Sequence, residues 1–202
     1  MRLKPPKFIR WLMPDLIWEM KDRSAVYLTF DDGPTPGITE WILSTLDKYD
    51  AKATFFVLGK NAEMYPDLYR RILDAGHRIG NHTYSHQKGW GMSLERYIED
   101  VDFANDLLHT ELFRPPYARI TPAQARALAK RYKLVMWDVL SRDYNRALSP
   151  RTCLRNVTRY LEGGSIVVFH DSEKSFRNMS YALPRTLQAV RDMGLKCKAI
   201  AL

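Results

Sequence analysis

The stretch AVYLTFDDGP, residues 25–34, decides the fold. Its first six residues are apolar or β-prone, which predicts a buried strand. Two carboxylates, Asp31 and Asp32, follow at once and lead into a Gly-Pro turn, which ends the strand. In α/β folds the chemistry lies at the carboxyl ends of the strands, and this is where the two carboxylates fall.

After this stretch, strand-like and helix-like segments alternate. Further strands are predicted at residues 53–57, 77–81, 134–139, 165–169 and 196–202. Apolar spacing predicts helices at residues 38–46, 63–75, 93–110, 122–132, 150–162 and 180–193. Because parallel strands need crossover helices, this order predicts a parallel sheet covered by helices, either an open doubly wound sheet or a closed barrel.

The composition is that of a folded, globular protein. The chain has 202 residues, of which 46% are hydrophobic and 27% charged, so we expect one sizeable domain and exclude disorder. No apolar run approaches the roughly 20 residues that span a bilayer, so no transmembrane helix is expected. Cys153 and Cys197 are too few for a disulfide scaffold.

The charge is basic but dispersed. Lys and Arg number 31 against 23 Asp and Glu, a net charge of +8, which favours an anionic partner such as a membrane surface or an acidic polymer. No basic run is interleaved with aromatic residues, so we do not expect nucleic acid to be a partner.

Residues 1–24 precede the first predicted strand. A secretory signal needs an uninterrupted apolar region of about 7–15 residues, which Pro14 and Asp15 break. We therefore expect no signal peptide, and a location in the cytoplasm or at the periphery of the envelope. We expect residues 1–24 to form a strap packed on the domain; the alternative is contact of residues 8–13, FIRWLM, with a membrane surface.

Two clusters of polar residues follow predicted strands and have the composition of a metal site. The adjacent carboxylates Asp31 and Asp32 repel when close, so one must be neutralised by a proton or a cation; the alternative is an Asp-rich turn. His82 and His86 stand four apart, so on a helical turn they share a face and can bind one metal ion. Two packing or surface histidines are the alternative.

Two further polar segments lie near predicted strand ends. Arg114 can hold a carboxylate ionised, and Pro115 and Pro116 stiffen the loop that carries Tyr117; the alternative is a rigid connector. His170 directly follows an apolar strand, where it is placed to exchange protons near neutral pH. A buried histidine satisfied by a backbone group is the alternative.

The segments TFDDGP, HTYSH, RPPY and HD, in this order and spacing, resemble the NodB-homology polysaccharide deacetylases, carbohydrate esterase family 4. The resemblance covers residues 25–171 directly. It implies a single domain with the fold of a distorted (β/α)7 barrel, in which residues 25–202 form the catalytic domain and residues 1–24 the strap.

The resemblance also implies the site residues. Asp32, His82 and His86 would bind a divalent metal, most often Zn²⁺, with Co²⁺, Ni²⁺ or Mn²⁺ as alternatives. The catalytic residues would be Asp31 as general base, Arg114 as its partner and His170 as general acid. The substrate-binding residues would be Tyr117 through its backbone, its neighbour Pro116, Tyr144, and Val168 at the acetyl methyl group.

The activity implied is metal-dependent removal of N-acetyl groups from an N-acetylhexosamine glycan, such as peptidoglycan or a chitin-like polymer, by a monomer. Exposed aromatics such as Trp90 and Tyr144 would stack on sugar rings, unless they belong to the core. The family often has Asp-x-x-Asp-Trp where this chain has Leu140 to Tyr144. Leu140 replaces the aspartate that acts on the acid histidine in the family, whereas Asp143 is retained and Asp138 is a possible substitute. Because a partner carboxylate is lost, we expect a lowered pKa of His170.

Two alternatives to this activity follow. Leu140 leaves open a catalytically weak carbohydrate-binding protein on the same fold. The same metal centre could also hydrolyse another amide or an ester.

Overall fold

The computed structural model describes residues 16–201. The strands in this part of the chain are β1 (Leu16–Ile17), β2 (Ala25–Asp31), β3 (Thr54–Val57), β4 (Arg78–Asn81), β5 (Leu112–Phe113), β6 (Lys133–Val135), β7 (Val139–Leu140), β8 (Ile166–His170) and β9 (Lys196–Cys197). The α-helices are α1 (Ile38–Asp47), α2 (Gly59–Met64), α3 (Pro66–Asp74), α4 (Leu94–Leu108), α5 (Pro122–Leu128), α6 (Pro150–Thr158) and α7 (Glu173–Asp192). A short 3₁₀ helix covers Pro116–Ala118.

The strands form one curled parallel sheet in the order β1-β6-β5-β4-β3-β2-β8-β7. β9 pairs in parallel with the start of β2. Because the paired strands are parallel, their carboxyl ends meet at one edge of the sheet. This is the distorted barrel that the family resemblance implies, and it brings the ends of β2, β4, β5 and β8 together.

The two faces of the strands bury two separate clusters. In β2, Val26, Leu28 and Phe30 pack against the helices, while Tyr27 points into the barrel interior. In β8 the neighbours Val167 and Val168 divide in the same way. Because side chains alternate along a strand and both faces are covered, the strands are almost continuously apolar.

Residues 16–24, the part of the predicted strap that the structure describes, add a strand to the sheet. Leu16 and Ile17 pair with β6, and Glu19 forms an antiparallel bridge with Ser165 just before β8. The strap therefore connects β6 with the start of β8, two strands that do not pair with each other. Residues 8–13, for which membrane contact was the alternative, lie outside the described residues.

The predicted strand at residues 134–139 is wrong as a single element. The chain leaves β6 when the Met136 amide donates to Ile17 O at 2.7 Å, and it reaches β8 when the Asp138 amide donates to Ile166 O at 3.3 Å. It thus crosses from the strap to the other end of the sheet, and it forms two short strands. The last strand is also shorter than predicted, ending at Cys197.

Two predicted helices differ in their bounds. The predicted helix 63–75 is interrupted at Tyr65, because Pro66 lacks an amide hydrogen and begins a new helix. The last helix begins at Glu173, directly after β8, and continues through Pro184. None of the helices in residues 16–201 is long and apolar enough to cross a bilayer.

Candidate metal and catalytic site

The site lies where β2, β4, β5 and β8 end. β2 and β8 pair in parallel with Asp31 opposite His170, so a carboxylate and an imidazole end neighbouring strands on the interior face. His82 follows β4, and Arg114 follows β5. The predicted polar residues, separated by up to 139 positions in sequence (31 to 170), therefore meet at one edge.

Asp32, His82 and His86 converge as a set of metal ligands. A ligand atom from each lies within 4.8 Å of the others. The Asp32 Oδ1 atom is 3.2 Å from His86 Nε2 and 3.7 Å from His82 Nε2. One carboxylate and two imidazoles are a donor set that suits a catalytic divalent metal, because positions stay open for water and substrate.

The protonation of His82 fits the same role. Its Nδ1 lies 2.7 Å from the carbonyl oxygen of Arg114, and since a carbonyl can only accept, Nδ1 carries the proton. The Nε2 lone pair then points toward Asp32, as it does in metal-binding histidines whose other nitrogen is held by a backbone group. The residues present therefore fit a divalent cation.

The predicted helical turn around the histidines is wrong, although the two imidazoles do come together. Residues 82–86 form an irregular turn in which Thr83 has φ 66° and His86 has φ 63°. Asn81 holds this turn, since its Oδ1 accepts from the Thr83 amide at 2.8 Å and its Nδ2 donates to Val101 O at 2.8 Å. Asn81 is thus a supporting residue that the sequence did not single out.

The electrostatics of the cluster favour an ionised Asp32 and a neutral His82. Burial by itself raises the pKa of Asp32, but the hydrogen bond with His86 and the nearby imidazoles outweigh it and lower that pKa. Burial lowers the pKa of His82 to about 4, against the raising effect of Asp31 and Asp32. Both are in the ionisation state that a metal ligand requires at neutral pH.

Arg114 holds the second carboxylate. Its Nη1 lies 2.6 Å from Asp31 Oδ1 and 2.7 Å from Thr29 Oγ1, while its other nitrogens donate to two backbone carbonyls. The guanidinium is completely buried, with its carbon 4.0 Å from the centre of the Phe56 ring. Burial lowers the pKa of Arg114, yet a guanidinium stays charged at neutral pH, so its pair with the Asp31 carboxylate is a charge-assisted hydrogen bond.

His170 has a carboxylate partner, contrary to the expectation from Leu140. Asp143 Oδ1 lies 2.7 Å from His170 Nδ1, and its Oδ2 accepts from the His170 amide at 2.7 Å. Burial by itself lowers the pKa of His170, but the charge and hydrogen bond of Asp143, together with Asp32 and Asp31, raise it to about 9. The expected lowering of the His170 pKa is therefore wrong.

The reason lies in where each residue of the β7 region points. Leu140 is buried and pairs with Val168 in the barrel interior. Asp138 bonds to the start of β8, accepting from the Ile166 amide at 2.7 Å, so it is not the substitute. Asp143 lies three residues after the end of β7 and contacts His170. The leucine at position 140 does not affect this contact.

The predicted substrate-binding residues differ in their exposure and in their contacts with this cluster. Tyr117 is 58% exposed, with its ring 4.7 Å from that of His86, and Tyr144 packs edge-on against His170 at 5.0 Å. Pro116 is buried beneath the loop. Val168 is buried two positions before His170, on the same face of β8.

Asp171 is a buried carboxyl that the sequence did not assign. Its Oδ2 accepts from Thr39 Oγ1 at 2.6 Å, its amide donates to Asp31 O at 2.7 Å, and its carboxylate fills the space that a Cβ on Gly33 would need. Burial raises its pKa to about 7. Asp171 therefore supports the turn that carries Asp31 and Asp32. Its position directly after His170, in the HD dipeptide, is the sequence feature that could have identified it.

The family profile described as polysaccharide deacetylase matches residues 19–137 of this chain. A peptidoglycan-N-acetylglucosamine deacetylase from Bacillus cereus is 36% identical over 158 residues, which cover 75% of this chain and 57% of that protein. A second protein of that name from the same species is 29% identical over 202 residues, covering 96% of this chain and 92% of the relative.

A solved structure gives the same result. The crystal structure of a peptidoglycan N-acetylglucosamine deacetylase in complex with a benzamide compound superposes with a TM-score of 0.88 at 29% identity. The match covers 97% of this chain and 95% of that one. The similarity therefore covers nearly the whole of both chains.

Proposed function

Because the chain belongs to the polysaccharide deacetylase family, we propose that it hydrolyses N-acetyl groups of an N-acetylhexosamine glycan, such as peptidoglycan or a chitin-like polymer, releasing acetate. One observation carries this proposal: the cluster of Asp32, His82 and His86 lies beside a second carboxylate, Asp31, that is paired with a buried arginine. The names of the similar deacetylases support the choice of glycan.

Asp32, His82 and His86 would hold the metal, with Zn²⁺ as the first choice and Co²⁺, Ni²⁺ or Mn²⁺ as alternatives. A bound divalent cation would polarise the acetyl carbonyl and lower the pKa of water toward about 7.

Asp31 acts as the general base. Its Oδ1 accepts a hydrogen bond from Arg114 Nη1 at 2.6 Å, which orients the carboxylate at the edge of the site. It accepts one proton from the water that attacks the acetyl carbonyl carbon. The oxyanion that forms is stabilised in part by the backbone N–H of Tyr117, whose left-handed conformation (φ 59°) turns the loop at this point.

His170 acts as the general acid. Its Nδ1 proton is engaged by Asp143, so Nε2 is the nitrogen that carries the exchangeable proton toward the substrate. It protonates the departing amine as the C–N bond breaks, which leaves acetate and a free amino sugar. Val168 lies below on the same face and contributes the apolar wall for the acetyl methyl group, while Tyr144 packs beside the imidazole.

All of these groups come from one chain, so a monomer suffices for the reaction. A glycan polymer as substrate assigns the action to the cell envelope or its periphery, where the net charge of +8 favours an anionic polymer. The alternative of a catalytically weak carbohydrate-binding protein loses its main support, because it depended on a missing partner for His170 and Asp143 fills that role.

The direct test is acetate release from N-acetylated oligosaccharides with added Zn²⁺. We expect release that a chelator abolishes and added Zn²⁺ restores. An O-acetylated oligosaccharide without N-acetyl groups serves as the control and distinguishes ester hydrolysis. Release that ignores the chelator, or release from the ester alone, contradicts an N-deacetylase with this metal centre.

Asp143→Asn is expected to move the alkaline limb of the kcat profile to lower pH by a unit or more. His170 must be protonated to act as an acid, and Asp143 raises its pKa to about 9, so activity is lost as the pH rises through that value. Without the carboxylate the imidazole loses its proton earlier. Acetate release is measured from pH 6 to 10.

Asp138→Asn is the matched control, because Asp138 is the other buried carboxylate of this region and bonds to the start of β8. The Asp138→Asn variant should leave the alkaline limb of the kcat profile at the wild-type pH. An Asp143→Asn profile that overlays the wild-type profile contradicts the role of Asp143.

A further inference from the structure

An exposed aromatic and basic patch adjoins the metal ligands. We call Trp90, Tyr117 and Arg119 the Trp90 patch. The Tyr117 ring lies 4.7 Å from that of His86, and its hydroxyl is 3.3 Å from His86 Nδ1. Arg119 follows two residues later, and its guanidinium carbon lies 5.5 Å from the centre of the Trp90 ring. Tyr117 therefore contacts a proposed metal ligand, and Arg119, two residues further along the chain, contacts Trp90.

The indole of Trp90 is held in place although 55% of its surface is exposed. Its Nε1 donates to Ile120 O at 3.2 Å. The loop beneath is fixed by the Gly89 amide, which donates to Arg119 O at 2.7 Å, and by Gln124, whose amide donates to Gly89 O at 3.0 Å. Because the only polar atom of the ring is satisfied, the exposed surface is carbon, suited to the C–H face of a sugar.

Arg119 keeps its hydrogen-bonding edge free. The cation–π contact with the Trp90 ring engages no N–H acceptor, so the N–H groups of the guanidinium stay available for a carboxylate. Within residues 16–201 no Asp or Glu forms an ion pair with Arg119. Lys88, also exposed, adds a second positive charge to the same loop.

From this arrangement we infer that the Trp90 patch is a subsite for a glycan that carries carboxylates. The indole stacks on a sugar ring beside the reacting one, and Arg119 pairs with the carboxylate on that sugar or its substituent. The inference rests on the proposed deacetylase function and makes Arg119 a specificity-determining residue for acidic over neutral glycans.

The test uses two forms of one oligosaccharide from a peptidoglycan strand, one with free lactyl carboxylates and one with each converted to the neutral methyl amide. Arg119→Gln is expected to lower kcat/KM about fivefold to tenfold on the acidic form through KM, and less than about twofold on the amide. The loss should shrink at about 0.5 M salt, where the Debye length is only a few ångströms.

Two variants complete the design. Arg155→Gln removes the same charge from an exposed position on α6 and should affect neither form. Trp90→Ala should lower kcat/KM about tenfold on both forms, since ring stacking does not depend on charge. Equal losses on both forms with Arg119→Gln, or no loss on either, overturn the inference.

The two proposals fail in different ways. Should the wild-type protein release no acetate from either form, the deacetylase function fails. Calorimetric binding of the same two oligosaccharides then decides the subsite: tighter binding of the acidic form that Arg119→Gln removes supports it, and equal binding overturns it.

Discussion

Asp31→Asn is expected to lower acetate release about a thousandfold while Zn²⁺ stays bound. The asparagine amide has nearly the shape of the carboxylate but does not accept a proton from the attacking water. Asp31 is not among the three converging ligands, so the affinity for Zn²⁺ should change little. Turnover is measured as acetate released, and binding by competition with a chromogenic chelator.

The adjacent Asp32 provides the control. Asp32→Asn removes the carboxylate of the ligand set and is expected to weaken Zn²⁺ binding at least about tenfold, so the two neighbouring positions separate proton transfer from metal binding. An Asp31→Asn variant that retains a tenth or more of wild-type turnover contradicts the general-base role. Loss of Zn²⁺ from that variant reassigns Asp31 to the ligands.

Arg114→Met is expected to lower the free energy of unfolding by about 3–5 kcal/mol. The substitution leaves Asp31, which is only 4% exposed, without its cationic partner inside the barrel. It also removes the donors to Thr29 and to two backbone carbonyls. The loss is measured by urea denaturation.

The double variant Arg114→Met with Asp31→Asn should recover part of this stability, because no unpaired charge remains buried. Arg131→Gln is the matched control: its pair with Asp102 is half exposed, so less than about 1 kcal/mol should be lost. Similar losses in the Arg114 and Arg131 variants, or no recovery in the double variant, contradict the account of a buried pair.

Local pattern was sufficient to predict the parallel sheet and the main helices. β2 and β8 are almost continuously apolar and end in polar residues, so their positions and the edge that carries the site follow from sequence. The division of residues 134–139 into β6 and β7 did not follow, since it depends on the distant partners Ile17 and Ile166. Pairing over such separations leaves no periodic signal in the chain.

In the site, too, local sequence spacing predicts which residues take part, whereas contacts between distant parts of the chain determine the geometry. The spacing of His82 and His86 predicts that both bind one metal ion. The turn that joins them, however, depends on residues with left-handed backbone conformation and on Asn81 rather than on a helix. Sequence position led to Leu140 as the missing partner of His170. The actual partner, Asp143, is identified only by the course of the chain after β7.

Arg114 joins the two halves of the reaction centre. Its carbonyl oxygen engages the imidazole of His82 at 2.7 Å, while its guanidinium grips the carboxylate of Asp31 at 2.6 Å. One residue therefore contacts both the proposed general base and one of the proposed metal ligands. We therefore expect a shift of the backbone where β5 ends to displace His82 and Asp31 together rather than one at a time.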